Sequence, residues 1–295
     1  MSRTKSKPPG GGERAGGASR GGGSDEAGQD RPSFGRRAWD QFSTLAFAVL
    51  IALGIRAFVI EPFRIPSGSM LPTLLIGDHL FVNKFLYGAR VPLTDVRLPG
   101  LRDPERGDVV VFSVARGRGG GIYPADQRPE LPRDDFVKRI VGLPGDRVEV
   151  KSGQLLVNGE PVESMATQET FIDEGGRNLA VRAEELGVCE HLILDDPSRQ
   201  GPELPAFVVP PERYFMVGDN RDHSNDSRYW GTVHFDELKG PAFILYWSWD
   251  VNGNFLQFLN PVNWFTADKR WSRVFQRVKC EAPGELAGDG SRDPS

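Results

Sequence analysis

The chain reads as a mainly β protein carried behind one N-terminal transmembrane helix, and three observations predict this. Phe42 to Ile60 is the single long apolar run, nineteen residues interrupted by one charge, Arg56. Beyond it, short β-branched and aromatic runs alternate with Gly, Pro and Asn turn signals, the pattern of strands rather than helices. Before it lies a tail with ten glycines in residues 1–38 and almost no apolar content, which cannot bury enough surface to offset ordering entropy. No internal repeat interrupts this plan.

Taken in order, the elements are a disordered tail over residues 1–38, a membrane helix over 39–61, and an extended body thereafter. The apolar run matches the roughly 20 residues that cross a bilayer's hydrocarbon, with Arg56 near one end able to snorkel to headgroups. A secretory leader fits less well, because no small-x-small cleavage site closes the run. Arg31, Arg36 and Arg37 precede the span and place the N-terminus in the cytoplasm by the positive-inside rule, although Arg56 and Arg64 weaken the asymmetry. Residues 62–162 form the first part of the body. Within it Asp108–Val114 and Phe136–Val141 are predicted strands, and Asn158-Gly159 between apolar flanks is a hairpin signal. Arg116 to Arg133, rich in Gly and Pro, is read as a surface loop. Residues 163–206 carry ten Asp/Glu against three Arg with weak patterning, and are read as an inserted subdomain. Residues 207–279 resume the body with strands at Tyr214–Val217 and Ala242–Trp249. An aromatic-rich region runs from Phe243, Tyr246, Trp247 and Trp249 to Phe255, Phe258, Trp264 and Phe265, suited to a water-lipid boundary or to a core. From Asp268 onward, apolar residues at helical spacing beside Lys269, Arg270, Arg273 and Arg277 predict a closing basic amphipathic helix. Residues 280–295 are a second disordered tail.

Composition narrows the function. Net charge is -4, but residues 1–37 carry eight Lys/Arg against four Asp/Glu while the remainder carries 28 against 36. An acidic body argues against nucleic acid as partner. Cys189 and Cys280 show no metal-type spacing and leave a disulfide open, and His79, His191 and His234 do not space as zinc ligands.

The chemistry gathers in three segments. Between Pro66 and Pro72, Gly68 sits between two hydroxyls, Ser67 and Ser69, in a turn just past the span. Such a turn can be a plain exit from a membrane helix, or it can present a serine nucleophile. In Asp134 to Gly142 the period-2 rule puts Phe136, Lys138 and Ile140 on one face, so that Lys138 projects between apolar neighbours. Desolvation lowers a lysine pKa by up to several units, and a serine hydroxyl needs such a base. Residues 218–231 (Gly-Asp-Asn-Arg-Asp-His-Ser-Asn-Asp-Ser-Arg-Tyr-Trp-Gly) are dense in turn formers, where Ser224 can aim the lysine while Asp219, Asp226 and Arg228 brace the loop. A Ser-His-Asp triad through His223 is the rival scheme.

Pro66-Ser67-Gly68-Ser69-Met70-x-Pro72-Thr73-Leu74, Gly107 to Phe112, Lys138-Arg139-x-x-Gly142-x-Pro144-Gly145-Asp146 and Gly218 to Arg228, in this order after a span, resemble bacterial type I signal peptidase (leader peptidase). The resemblance covers residues 42 to about 162 and 207 to about 250. It implies a largely antiparallel β catalytic domain with an inserted second domain, and a Ser-Lys dyad with Ser69 as nucleophile and Lys138 as general base. It further implies an oxyanion hole from the Ser69 N-H and the Ser67 hydroxyl, and Ser224 holding the lysine. Asp226 with Arg228 would form one supporting pair, Asp219 with Arg139 another. Ile65, Pro66, Met70, Leu74, Phe136 and Val137 match positions lining shallow apolar pockets for the residues before the cut. No cofactor and no metal are implied. The partners would be signal-peptide-bearing precursors and the bilayer of the plasma (inner) membrane, with the catalytic body on the outer or periplasmic side. Departures are the single visible span, His223 where Asn is common, and the Gly-rich stretch after Val114.

Nine residues separate Ile60 from Ser69, and an extended chain covers at most about 3.6 Å per residue, so the serine is expected within roughly 30 Å of the bilayer. Two other readings of the same residues are a catalytically silent membrane adaptor and a self-cleaving Ser-Lys repressor. The second would need a DNA-binding module where this chain has a tail and a span.

Overall fold

The computed structural model describes residues 34–91, 94, 96–113, 135–199, 201–249, 269–278 and 280. The expectations for residues 1–33, for Arg116 to Arg133, for Phe255, Phe258, Trp264 and Phe265, and for 281–295 lie outside these residues.

Helix α1 spans Phe34–Phe58. Its Ala and Leu residues are strong helix formers. Trp39–Phe58 has a mean hydropathy of 1.7 and is long and apolar enough to cross a membrane. Trp39, Phe42, Leu45, Phe47 and Leu50 are all exposed, an arrangement costly in water and favourable in lipid.

The strands follow as β1 (Ile60–Arg64), β2 (Asp78–Asn83), β3 (Val109–Ser113), β4 (Asp135–Gly142), β5 (Arg147–Lys151), β6 (Gln154–Val157) and β7 (Glu160–Pro161). Next come β8 (Ser164–Ile172), β9 (Asn178–Leu186), β10 (Cys189–Asp195), β11 (Leu204–Val208), β12 (Arg213–Val217), β13 (Val233–His234) and β14 (Leu238–Ser248). A one-turn helix α2, Ser227–Trp230, lies between β12 and β13. They assemble into a seven-stranded sheet in the order β1-β2-β14-β3-β4-β12-β13, a four-stranded sheet β11-β5-β6-β7 and a three-stranded sheet β10-β9-β8. Neighbouring strands in all three pair antiparallel. The mainly β, antiparallel expectation therefore holds.

Local sequence explains the placement. Val109 to Phe112 are all buried, as a continuous apolar run demands of a strand covered on both faces. Pro62 sits on edge strand β1, where a missing N-H costs least. β14 tolerates Pro241 in a central strand because its register shifts on either side, between Leu238 and Gly240 and between Ala242 and Ile244. Gly240 has φ +152°, and a Cβ there would stand 2.3 Å from the Asn83 carbonyl oxygen, so no other residue fits. Asn158 and Gly159, at φ +56° and +86°, make the expected tight turn between β6 and β7.

Residues 163–206 form β8, β9 and β10 as a sheet of their own and then supply β11 to the four-stranded sheet. This segment leans on the loop after β12. The Leu194 N-H donates to the Asp219 carbonyl at 2.9 Å, Arg221 pairs with buried Glu184, and Leu179, Val181 and Leu194 pack with Leu71. A disulfide joins Cys189 to Cys280. One expectation is corrected: residues 269–278 do not form a basic amphipathic helix. They bridge β14 at Ile244–Arg277 and the residue just after it at Trp249–Lys269, around a short 3-10 turn, Trp271–Arg273. Backbone pairing with β14, such as Phe275 N-H to the Leu245 carbonyl at 2.8 Å, outweighs the helical spacing of the side chains. Of the aromatic region, Phe81 stacks on Tyr246 at 4.2 Å and Trp247 meets Trp271 edge-on at 5.5 Å.

Candidate active site

Three segments converge beside Lys138, in the middle of strand β4. After β1 the chain runs extended through Ser67, then tightens into a 3-10 turn at Gly68–Met70. Loop residues hold that turn from outside. The Asn220 side-chain amide donates to the Gly68 carbonyl at 2.9 Å and its backbone N-H donates to the Ser69 carbonyl at 3.2 Å. The loop thereby fixes the serine through its backbone and leaves its hydroxyl to meet Lys138.

Lys138 lies on β4, opposite Val110 of β3, and is 3% exposed. Its amine is hydrogen-bonded to the Ser69 hydroxyl. Burial lowers the Lys138 pKa to about 8, the Asp226 and Asp219 carboxylates pull it back up, and Arg228 lowers it further. The amine can shed its proton near neutral pH, as a base requires.

Two buried ion pairs frame the lysine. Arg139 engages Asp219 through both nitrogens, Nε to Oδ1 at 2.8 Å and Nη2 to Oδ2 at 2.7 Å, and the Thr73 hydroxyl donates to Oδ2 at 2.6 Å. Arg228 engages Asp226 likewise, at 2.8 and 2.7 Å, while the Gly218 N-H donates to Asp226 at 3.0 Å. Burial alone would raise both carboxyl pKa values, but the guanidinium beside each holds it low and ionised. Bidentate pairing repays the desolvation that a single contact would not. Gly218 is required by space: a Cβ would fall 2.2 Å from Ser224 Oγ and 2.5 Å from the Ser69 carbonyl. Ser224 is buried, and its hydroxyl makes no hydrogen bond of good geometry among the described residues; it lies beside Asp226, whose ionised form it favours. A direct bond from Ser224 to the Lys138 amine is therefore not formed.

Over Ser69 opens a cavity of about 370 Å³, with Ser67 and Lys138 on its lining. Of the six predicted pocket residues only Phe136 lines it. Ile65, Met70 and Leu74 are at most 2% exposed and pack with Val137 against Leu80 and Val111, while Pro66 is exposed outside. They are a floor behind the turn, and the apolar lining falls instead to Leu71, Ile76 and Phe136. Ile76 was not foreseen because nothing in a turn sequence tells which side chain folds outward. His223 does not approach a triad: its Nε2 is 2.8 Å from Asp196 and its Nδ1 faces Arg177 and Arg199. Thr73, Gly218 and Asn220 stood inside the quoted motifs, but their roles are visible only as distances. Among the described residues no cluster of His, Cys, Asp or Glu is arranged to hold a metal.

A buried lysine bonded to a serine hydroxyl, on an antiparallel β scaffold behind an apolar helix, is the arrangement a hydrolase of the Ser-Lys kind requires. Comparison with known proteins narrows this class to one family. Residues 38–247 match the family described as Signal peptidase, peptidase S26. Signal peptidase I of Pseudomonas aeruginosa is 43% identical over 216 residues, covering 69% of this chain and 70% of that protein. Signal peptidase I of Haemophilus influenzae is 34% identical, covering 81% and 76%. A solved signal peptidase I from Enterococcus faecalis V583 matches at 26% identity over 48% of this chain and 97% of that one, with a TM-score of 0.27, too low to bear on the fold. The chain belongs to the signal peptidase family, and it is a peptidase.

Proposed function

We propose that this chain removes N-terminal signal peptides from exported precursor proteins, with Ser69 as nucleophile and Lys138 as general base. The observation that carries the reading is the hydrogen bond between a buried, low-pKa amine and the serine hydroxyl. Lys138 takes the Ser69 proton as Oγ attacks the scissile carbonyl. The tetrahedral oxyanion is met by the Ser69 N-H and the Ser67 hydroxyl. Collapse passes the proton to the leaving amine and leaves an acyl-enzyme on Ser69, which water, activated by the same lysine, hydrolyses. The Asp226–Arg228 pair on one side, with Ser224 beside it, and Asp219 with Arg139 on the other frame the base. Phe136 with Leu71 and Ile76 contacts the small residues before the cut, while Ile65, Met70, Leu74 and Val137 pack behind the turn and Pro66 fixes its extended entry from outside.

In this reading the helix anchors the enzyme by a single pass in the plasma (inner) membrane, with Arg31, Arg36 and Arg37 in the cytoplasm and the catalytic body on the outer side. The precursor's own apolar signal shares that bilayer, which raises the local concentration of the cleavage segment without any new contact. Ser69→Ala is expected to lower cleavage of a precursor bearing an Ala-x-Ala site by at least about 10³-fold, and Lys138→Ala by at least about 10²-fold. The assay is incubation with detergent-solubilised enzyme, the cut position being read by mass spectrometry. Full turnover by either folded variant overturns the dyad.

A further inference from the structure

The cavity over Ser69 has two unlike walls. Leu71, Ile76 and Phe136 make one of them, and it is apolar. The other is polar, formed by the turn that joins β8 to β9, residues 173–177, together with His223 and Asn225. This turn is built firmly. Asp173 accepts from the N-H groups of Gly175 and Arg177, each at 2.9 Å, and from Arg177 Nε at 2.7 Å. Arg177 Nη1 lies 3.2 Å from His223 Nδ1, and His223 Nε2 lies 2.8 Å from Asp196, so the turn is pinned to the loop that carries Ser224. Asp173 and Arg177 neutralise one another. Glu174, between them in sequence, is exposed at the cavity and makes no ion pair or hydrogen bond among the described residues.

A precursor changes character at the bond that is cut. Before it stand small apolar residues, and after it the polar start of the mature chain. Each half is best accommodated by the wall of matching chemistry, because an apolar wall gains nothing from polar side chains and charges them a desolvation cost. We propose that the 173–177 turn is the wall that receives the first residues after the cut, and that Glu174 makes it favour basic over acidic side chains there. The inference rests on Ser69 as nucleophile, which fixes where the scissile bond lies. It also gives residues 163–206 a part in the reaction: specificity on the downstream side.

An exposed rim charge changes selectivity modestly, by about two- to five-fold at low ionic strength. The test uses precursor peptides with one Ala-x-Ala site and either Lys or Glu as the second residue after the cut. The wild-type enzyme is expected to process the Lys peptide with the higher kcat/KM by about three-fold, and Glu174→Lys to invert that ratio. Glu160→Lys, an equal change of net charge outside the cavity, leaves the ratio as in wild type. Moving the Lys/Glu pair to the fourth residue before the cut removes the difference between wild type and Glu174→Lys. An unchanged ratio in Glu174→Lys, or an inversion seen only for residues before the cut, overturns the proposal while cleavage itself continues. Loss of the Ser69 assignment would show separately, as activity surviving in Ser69→Ala.

Discussion

An amine in water holds its proton to about pH 10.4, and burial is the means by which Lys138 gives it up near pH 8. The consequence for rate has a definite sign. Below pH 8 the free-base fraction falls tenfold per unit, so kcat/KM is expected to climb with pH through the apparent pKa and level off above it. A profile of kcat/KM from about pH 6 to 9.5 that stays flat would sink the role of Lys138 as base. The same shift costs stability. The folded pKa lies below that of the unfolded chain, so between about pH 8 and 10.5 the unfolded state binds more protons and stability rises with pH across that window. Below pH 8 the protonated amine is held in the interior at a cost on the order of 3 kcal/mol. Lys138→Met, which keeps the length and removes the charge, is therefore expected to melt higher than wild type at about pH 6, with the gap narrowing as pH passes 8. Equal melting temperatures at both ends of the range would contradict this.

At the scale of elements, the site depends on how tightly the loop after β12 sits on the serine turn. Gly218 permits that approach, and Gly218→Ala forces either Ser224 or the Ser69 carbonyl to move. Activity is expected to drop by about 10²-fold, as for a misplacement of about an ångström, with far-UV spectra unchanged. The Arg139–Asp219 pair is 1% exposed on both sides, so Asp219→Ala leaves a buried guanidinium without its partner. A loss of about 3–5 kcal/mol is expected, read as a lower urea midpoint at constant m-value. The motif sequences pointed to these residues. What they did not reveal is that Thr73 and Asn220 lock two distant loops together, since those bonds span 146 and 152 residues. In the same way, the strands β8 to β10 escaped notice because their acidic residues hide the alternation that a half-buried strand shows.

For the molecule as a whole, the bond between Cys189 and Cys280 closes a loop of 91 residues and ties the inserted sheet to the end of the chain. It also lies against the active-site support, with Arg139 Nη1 3.7 Å from the Cys280 sulfur. Reduction is expected to cost about 2–4 kcal/mol through the freed unfolded chain, seen as a lower melting temperature in dithiothreitol. No change on reduction would show the crosslink to be idle. Such a crosslink persists in oxidising surroundings.

Patterns carried in a few neighbouring residues were readable directly: the apolar span, the β-branched strands, the Asn-Gly turn, and Ser69 and Lys138 within their motifs. Each depends on interactions that are local or on hydrophobicity alone, which a linear chain displays openly. Tertiary structure decided which side chains share a wall, that Ser224 makes no hydrogen bond to the lysine, that the two cysteines meet, and that residues 269–278 pair with β14 instead of coiling. Those outcomes turn on contacts between segments far apart in sequence, where packing and backbone pairing override local propensity.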